Sequence, residues 1–475
     1  MKRHFSFFLL PLTLFGCAVG PDYVRPSVQT PASFAIPTGW KVAESQGAPI
    51  PSAWWALFND PQLDQYERQV PIANQTIAQQ EAAWRQAQAA VGTAQAGLFP
   101  TLNANAVNSR TRASAGAIGL AQGAIYDNYQ AALQATWIPD LWGSVRRSIE
   151  ASKANLQASA DQLAATLLTL QGQLALDYFQ LRADDAQKAL LQATVEAYKK
   201  SLDLTVERRA SGIAADTDVL LAENQLQTAQ AQLIDVGVQR TQMEHAIAIL
   251  VGVPPSGFHV PETPLGQGYP EVPVTLPSVL LERRPDIATA ERSMAAASAE
   301  IGVAQAAFFP TLSLDGSAGY QNRAYTHLFQ VPNQFWAFSP QLSLPIFNGG
   351  LLSAALDSAR ATFDQAVANY REVVLVAFQN VEDNLTATAI LTDEIRVQQQ
   401  AVASAKKNAD LTEQQYIAGT VAYLNVIVAQ TQLLTNQLTE LSLRSRAFAS
   451  SVQLITALGG GWQSPTDKVA ANQTH

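Results

Sequence analysis

Phe309-Pro310-Thr311-Leu312 closes an Ala-rich helical pattern and opens an alternating one, and the same four residues occur earlier as Phe99-Pro100-Thr101-Leu102. Outward from each copy, Ala94-Gln95-Ala96-Gly97-Leu98 leads into the first and Ala304-Gln305-Ala306-Ala307-Phe308 into the second. Further on, Gly212 falls on Gly419 and Ile247-Ala248-Ile249-Leu250-Val251-Gly252 falls on Leu454-Ile455-Thr456-Ala457-Leu458-Gly459, at an offset of about 207 residues, far longer than solenoid periods. The chain therefore reads as one unit built twice, each copy running helix, paired alternating segments, long helix and return helix.

The expected plan is a signal peptide over 1–16, an extended strap over 17–60, repeat 1 over 61–253, a Pro-rich connector over 254–277, repeat 2 over 278–460 and a polar tail over 461–475. Hydrophobic residues make up 48% of the 475 and the formal net charge is −9, which argues against disorder and against a polybasic nucleic-acid surface. Lys2 and Arg3 before the apolar run Phe5 to Phe15, ending at Gly16-Cys17, give the three parts of a secretory signal. Cys17 is the only cysteine, so it forms no internal disulfide, and Leu14-Phe15-Gly16-Cys17 resembles a bacterial lipobox; Ala18 after it points to the outer membrane.

No apolar run beyond the N-terminus reaches the ~20 residues of a spanning helix, so a bilayer crossing requires strands. The alternation supplies them. Leu312, Leu314, Ala318 and Tyr320 alternate with Thr311, Ser313, Asp315 and Ser317, while Trp336, Phe338, Leu342, Leu344 and Ile346 alternate with Ala337, Ser339, Gln341 and Ser343. In repeat 1, Tyr129, Ala131, Leu133, Ala135 and Trp137 share one face, and Leu102, Ala104 and Ala106 give a weaker signal of the same kind. Segments of about ten residues, apolar outward and polar inward with aromatics near their ends, match outer-membrane barrel strands. A soluble sandwich also alternates, but two hairpins between very long helices are too few strands for one. Four strands cannot close a barrel, and an open edge in lipid leaves backbone groups unsatisfied at several kcal/mol each, so other copies of the chain must complete it.

Hairpins are expected at about 101–138 and 311–347, long helices over 141–211 and 350–418, and return helices over 216–252 and 421–458. Some 70 residues of helix reach about 100 Å, which suits a conduit better than a globular core. Asp60 with Pro61 marks a helix start, Asp140 and Asn348 are expected to cap the long helices, and Gly212 and Gly419 are suited to left-handed helix ends. Pro71 is expected to kink or restart the first helix. The five histidines form no ligand-spaced pair, there is no second cysteine, and no phosphate-binding glycine loop follows a strand, so neither catalysis nor a metal site is expected.

Leu276-Pro277-Ser278-Val279-Leu280-Leu281-Glu282-Arg283-Arg284-Pro285-Asp286-Ile287, running on through Ala290-Glu291 and Ile301-Gly302-Val303-Ala304 to Phe309-Pro310, resembles the signature of outer-membrane efflux proteins. Cys17-Ala18-Val19-Gly20-Pro21-Asp22-Tyr23, Trp54-Trp55 with Asp60-Pro61, Asn74 and Gly252-Val253-Pro254 resemble the NodT/OprM-type lipoprotein branch of that TolC-related family. The resemblance implies a mainly α fold with transmembrane β structure: a homotrimer with a twelve-stranded barrel, four strands per chain, continued by a long periplasmic α-helical barrel. It implies an exit duct for drugs or other small molecules in the outer membrane. The partners would be a periplasmic adaptor and an inner-membrane pump of the resistance-nodulation-division type. No cofactor is expected beyond a covalent lipid, palmitate included, at Cys17. Arg283 and Arg284 are read as structural, tying the connector to nearby carbonyls or acids.

The same resemblance places adaptor docking at the periplasmic turns around Gly212 and Gly419 and a resting gate just beyond them. Relatives often carry an acid and an arginine where this chain has Val428 and Thr431, so an ionic lock is missing there. Closure is expected from Leu424 with Val428, helped by hydrogen bonds from Tyr423 and Asn425, while Asp216, Asp218 and Glu223 would form acidic rings favouring cations. The rival reading is a trimeric coiled-coil adhesin, which calls for sustained heptads and a single terminal anchor.

Overall fold

The computed structural model describes residues 18–27, 30, 31, 34, 50–114, 124–266, 268–270 and 282–463. Cys17, the signal segment, most of the strap beyond Ser27, the end of the connector and the tail from 464 lie outside the described residues. The chain divides into two compact units: one drawn from Met1–Ser27, Trp84–Ser159 and Ala290–Tyr370, the other from Val28–Ala83, Ala160–Thr289 and Arg371–His475.

The helices are α1 (Pro61–Glu67), α2 (Val70–Ala73), α3 (Gln75–Ala96), α4 (Ser144–Ala210), α5 (Asp216–Leu250), α6 (Pro285–Ala306), α7 (Leu351–Ile417) and α8 (Tyr423–Ala457). The strands among the described residues are β1 (Thr101–Ala113), β2 (Ala124–Trp137), β3 (Thr311–Asn322) and β4 (Gln334–Ser343). Asp60 caps α1 by accepting from the N–H groups of Gln62 (2.9 Å) and Leu63 (3.2 Å), with Pro61 in the first turn. The helical path breaks after Glu67 and restarts at Val70-Pro71, then Asn74 caps α3 through Thr76 N–H at 2.8 Å. Asp140 caps α4, taking the N–H groups of Val145 and Arg146 at 3.0 Å each. Asn348 instead holds Gly350 N–H at 3.2 Å, tightening the turn before α7 rather than the helix itself.

In the first unit the strands form one antiparallel sheet in the order β1-β2-β3-β4, so β1 and β4 are both open edges among the described residues. The register puts the apolar sets of all four strands on one face. Leu102 pairs with Ala135, Ala104 with Leu133, Leu133 with Ala318, and Ala318 with Trp336. The opposite face carries Asn103, Asn105, Gln130, Gln134, Ser313, Asp315, Ser317, Ser339 and Gln341. β4 ends at Ser343, so Leu344 and Ile346 lie past the strand in which the alternation placed them. At the helix end of the sheet, Trp142 donates to Pro310 O at 2.7 Å and stacks on Phe309 at 4.9 Å, securing the second Phe-Pro switch point.

The second unit has an aromatic centre: Phe58 lies 4.7 Å from Phe179, and Phe179 lies 4.8 Å from Phe448. Trp54 and Trp55 are buried beside it, which makes them packing anchors. A buried ionic network fastens the start of the connector to α4 and α5. Arg240 donates to Asp185 (2.6 Å) and Val260 O (2.6 Å), Glu244 accepts from Val260 N–H (2.5 Å), and Arg182 reaches Pro261 O (2.5 Å) and Tyr178 (2.8 Å). Each charge is paired and hydrogen-bonded, the condition under which buried ions persist.

Candidate functional site

Two helix turns of the second unit lie together. α4 ends in a Schellman motif in which Gly212, at φ +73°, donates to Arg209 O and Ile213 donates to Arg208 O at 2.8 Å. α7 ends the same way, with Gly419 at φ +76° donating to Tyr416 O and Thr420 to Gln415 O, both at 3.0 Å. A side chain built on either glycine meets open space, so both turns present bare backbone.

Behind the turns, Tyr416, Tyr423, Val426 and Ala222 form a small core with Leu202, Leu204, Val421 and Ile427 against it. Arg208 lies 4.8 Å over the Tyr416 ring and donates to Ile417 O at 3.0 Å, joining the end of α4 to the end of α7. Tyr423 is 1% exposed and its hydroxyl is 3.0 Å from Ser201 Oγ, so it belongs to this core. Burial raises its pKa. The helical period explains the division: Tyr423, Val426 and Ala429 take the packed face of α8, leaving Leu424 (55% exposed) and Val428 (61% exposed) on the opposite one. Asn425 is exposed beside them.

The acids divide by role. Asp218 accepts from Ala215 N–H at 3.2 Å, a reach-back bond at the start of α5, and Asp216 pairs with Arg209 across the turn. Glu223 is half-buried one turn on. Asp216, Leu424 and Val428 are thus exposed at one end of the second unit, with Gly212 and Gly419 beside them.

In the first unit the strap is fixed where it begins. Val19 N–H donates to Trp142 O at 2.9 Å, and Arg147 donates to Val19 O (3.2 Å), Gly20 O (3.2 Å) and Asp22 (2.8 Å). A Cβ on Gly143 would come within 2.7 Å of Ala18 Cα, so Ala18 sits against the turn that follows β2.

Sequence reasoning missed the Arg182-Asp185-Arg240-Glu244 network, whose members are scattered and carry no periodic signal. It also missed that Asn74 Nδ2 donates to Leu250 O; a cap residue just after a Pro-broken helix was the available clue. The structural role of the arginines is seen at Arg284, which holds Ala457 O at 2.9 Å and chelates Asp286. Among the described residues no cluster of His, Cys, Asp and Glu is placed to hold a metal ion, and no helix is long and apolar enough to cross a membrane.

The outer membrane efflux protein family model matches residues 68–253 and 276–460. The chain is 32% identical over 477 residues to the probable efflux pump outer membrane protein TtgC of Pseudomonas putida, covering 99% of this chain and 98% of that one. It is 32% identical over 447 residues to the pyoverdine export outer membrane protein OpmQ of Pseudomonas aeruginosa, covering 92% and 94%. Among solved structures, the outer-membrane channel OprN superposes with a TM-score of 0.87 at 28% identity, over 94% of this chain and all (100%) of that one. The open state of the MtrE outer membrane channel of Neisseria gonorrhoeae gives 0.80 at 27%, over 95% and 100%. With both repeats matched and the fold shared from end to end, this chain belongs to the outer membrane efflux protein family.

Proposed function

We propose that three copies of this chain form a passive exit duct in the outer membrane. The observation that carries the reading is the sheet: one apolar face, one polar face and two open edges in four strands. Such a sheet is stable in lipid only when its edges are paired, and three copies supply a closed twelve-stranded barrel with the polar face inside. The 67-residue helices α4 and α7 form the periplasmic passage. Drugs or other small molecules reach it from an inner-membrane pump of the resistance-nodulation-division type through a periplasmic adaptor. The chain catalyses nothing and holds no cofactor.

The adaptor docks on the turns at Gly212 and Gly419, whose bare backbone lets another chain approach. Leu424 and Val428 form an apolar constriction, and Asp216 and Asp218 give the mouth its negative charge. Cys17 carries the acyl anchor: its neighbour Ala18 is held at the helix end of the sheet, where the barrel meets the periplasmic leaflet. Purified protein added to a planar bilayer should give discrete conductance steps. An adhesin or a soluble enzyme would give none, and their absence would overturn the duct.

A further inference from the structure

The outward face of the sheet ends in charge at its hairpin end. Along β2, Trp137 at the helix end and Tyr129 in mid-strand occupy the apolar face, and the eight steps between them, ~3.4 Å each at a tilt of ~45°, cover about 19 Å of membrane height. Two further aromatics close the band from the loop after β3: Tyr325 packs on Tyr129 at 6.0 Å, and Phe329 packs on Tyr320 at 5.5 Å. The next positions on the same face are Arg110, paired across the ladder with Asp127, and Arg112, paired with Ile125. Arg110 approaches Asp127 only to 3.8 Å and its side chain stays 74% exposed. Arg112 is exposed and makes no salt bridge among the described residues.

We propose that Arg110 and Arg112 bind the phosphate groups of the glycolipid that forms the outer leaflet. The proposal rests on the barrel reading, which turns the apolar face to lipid. Ala18 lies against Gly143 at the helix end of the sheet, and the anchor proposed at Cys17 makes that end the periplasmic one, so the hairpin end meets the outer leaflet. An arginine on the lipid face costs about 2–4 kcal/mol at the bilayer midplane and about 0–1 near the interface, which sets these two at the headgroup level. There a guanidinium forks onto phosphate oxygens while its stem lies along the apolar band. Two cations against one loosely held acid leave each protomer with an unbalanced positive charge in contact with an anionic lipid surface. Arg323, close by, is turned away: it lies 5.0 Å over Tyr126, which shares the polar face with Thr111.

The test uses purified, detergent-solubilised trimers titrated with fluorescent lipid A carrying both phosphates, and with the same lipid A after enzymatic dephosphorylation. The native protein should prefer the phosphorylated form. Arg110→Gln/Arg112→Gln should lose about tenfold of that preference, the scale of two exposed charge-assisted hydrogen bonds, while Arg110→Lys/Arg112→Lys keeps most of it and Arg323→Gln changes nothing. Equal binding of the two lipids by the native protein, or an unchanged preference in the double Gln variant, would overturn the proposal. Conductance measured on the same samples reports the barrel separately: missing steps count against the duct, and intact steps with a phosphate-blind titration count against the arginines alone.

Discussion

Asn74 and Arg284 occupy corresponding places in the two repeats and make the same bond with different chemistry. Asn74 Nδ2 donates to Leu250 O and Arg284 Nη1 to Ala457 O, each at 2.9 Å, so each return helix is tied at its last turn to the helix that opens its own repeat. A Cβ on Gly252 would run into Ala73 O, and one on Gly459 into Arg283 O, which shows how closely those backbones approach. Asn74→Ala and Arg284→Ala should each lower unfolding stability by about 1–3 kcal/mol, because a buried carbonyl loses its donor. Denaturant titration checks this, and conductance per trimer should stay unchanged.

Glu67 is 0% exposed, and neither carboxylate oxygen has a hydrogen-bond partner among the described residues. Burial raises its pKa well above the ordinary value of 4.5. The folded state therefore binds a proton that the unfolded chain releases, so the group costs stability as pH rises above the ordinary carboxyl range and costs nothing below it. Glu67→Gln should raise the melting temperature at neutral pH, with the gain shrinking to nothing as pH falls below about 4. A loss of stability at neutral pH instead of a gain would mean that the carboxyl is ionised and paired.

At the mouth, Leu424→Ala should raise single-channel conductance, and Asp218→Asn should chiefly lower cation selectivity read from the reversal potential. Asn still accepts from Ala215 N–H, so the start of α5 survives that change. Tyr423→Phe serves as the contrast: it removes the hydroxyl that meets Ser201 and Thr205 and should cost about 1 kcal/mol of stability with conductance unaltered. A destabilised Leu424→Ala trimer with unchanged conductance would reject the constriction.

Gly212→Leu and Gly419→Leu place a side chain at positive φ, a strain of about 1–2 kcal/mol each, in a direction where nothing in the chain is touched. Adaptor cross-linking should fall more than trimer formation. Equal loss of both would make these glycines helix terminators only.

For the anchor, Cys17→Ser should abolish acyl labelling while Ala18 keeps its place beside Gly143. Persistent labelling of the variant would move the lipid elsewhere.

Much of this fold was legible because its signals are local. Period-two alternation reports a sheet with one greasy face, and Asp60-Pro61 and Gly419 report helix ends whatever lies around them. What stayed hidden depends on partners distant in sequence. Tyr423 beside Leu424 reads equally well as lining or as core, and only the packing of Tyr416 and Ser201 against it decides. Arg240 gives no hint that Asp185, Glu244 and Val260 converge on it.

The two bare sheet edges carry a last consequence, for how the molecule matures. A chain whose first and last strands both lack a neighbour has no finished monomeric state in lipid, so its stability is a function of its own concentration. The acyl anchor proposed at Cys17 would confine newly exported chains to a surface, where encounters are more frequent than in the volume of the periplasm. Dilution before insertion should leave helical protein without barrel, and the proposed acyl chain would then act as an assembly factor rather than only a leash.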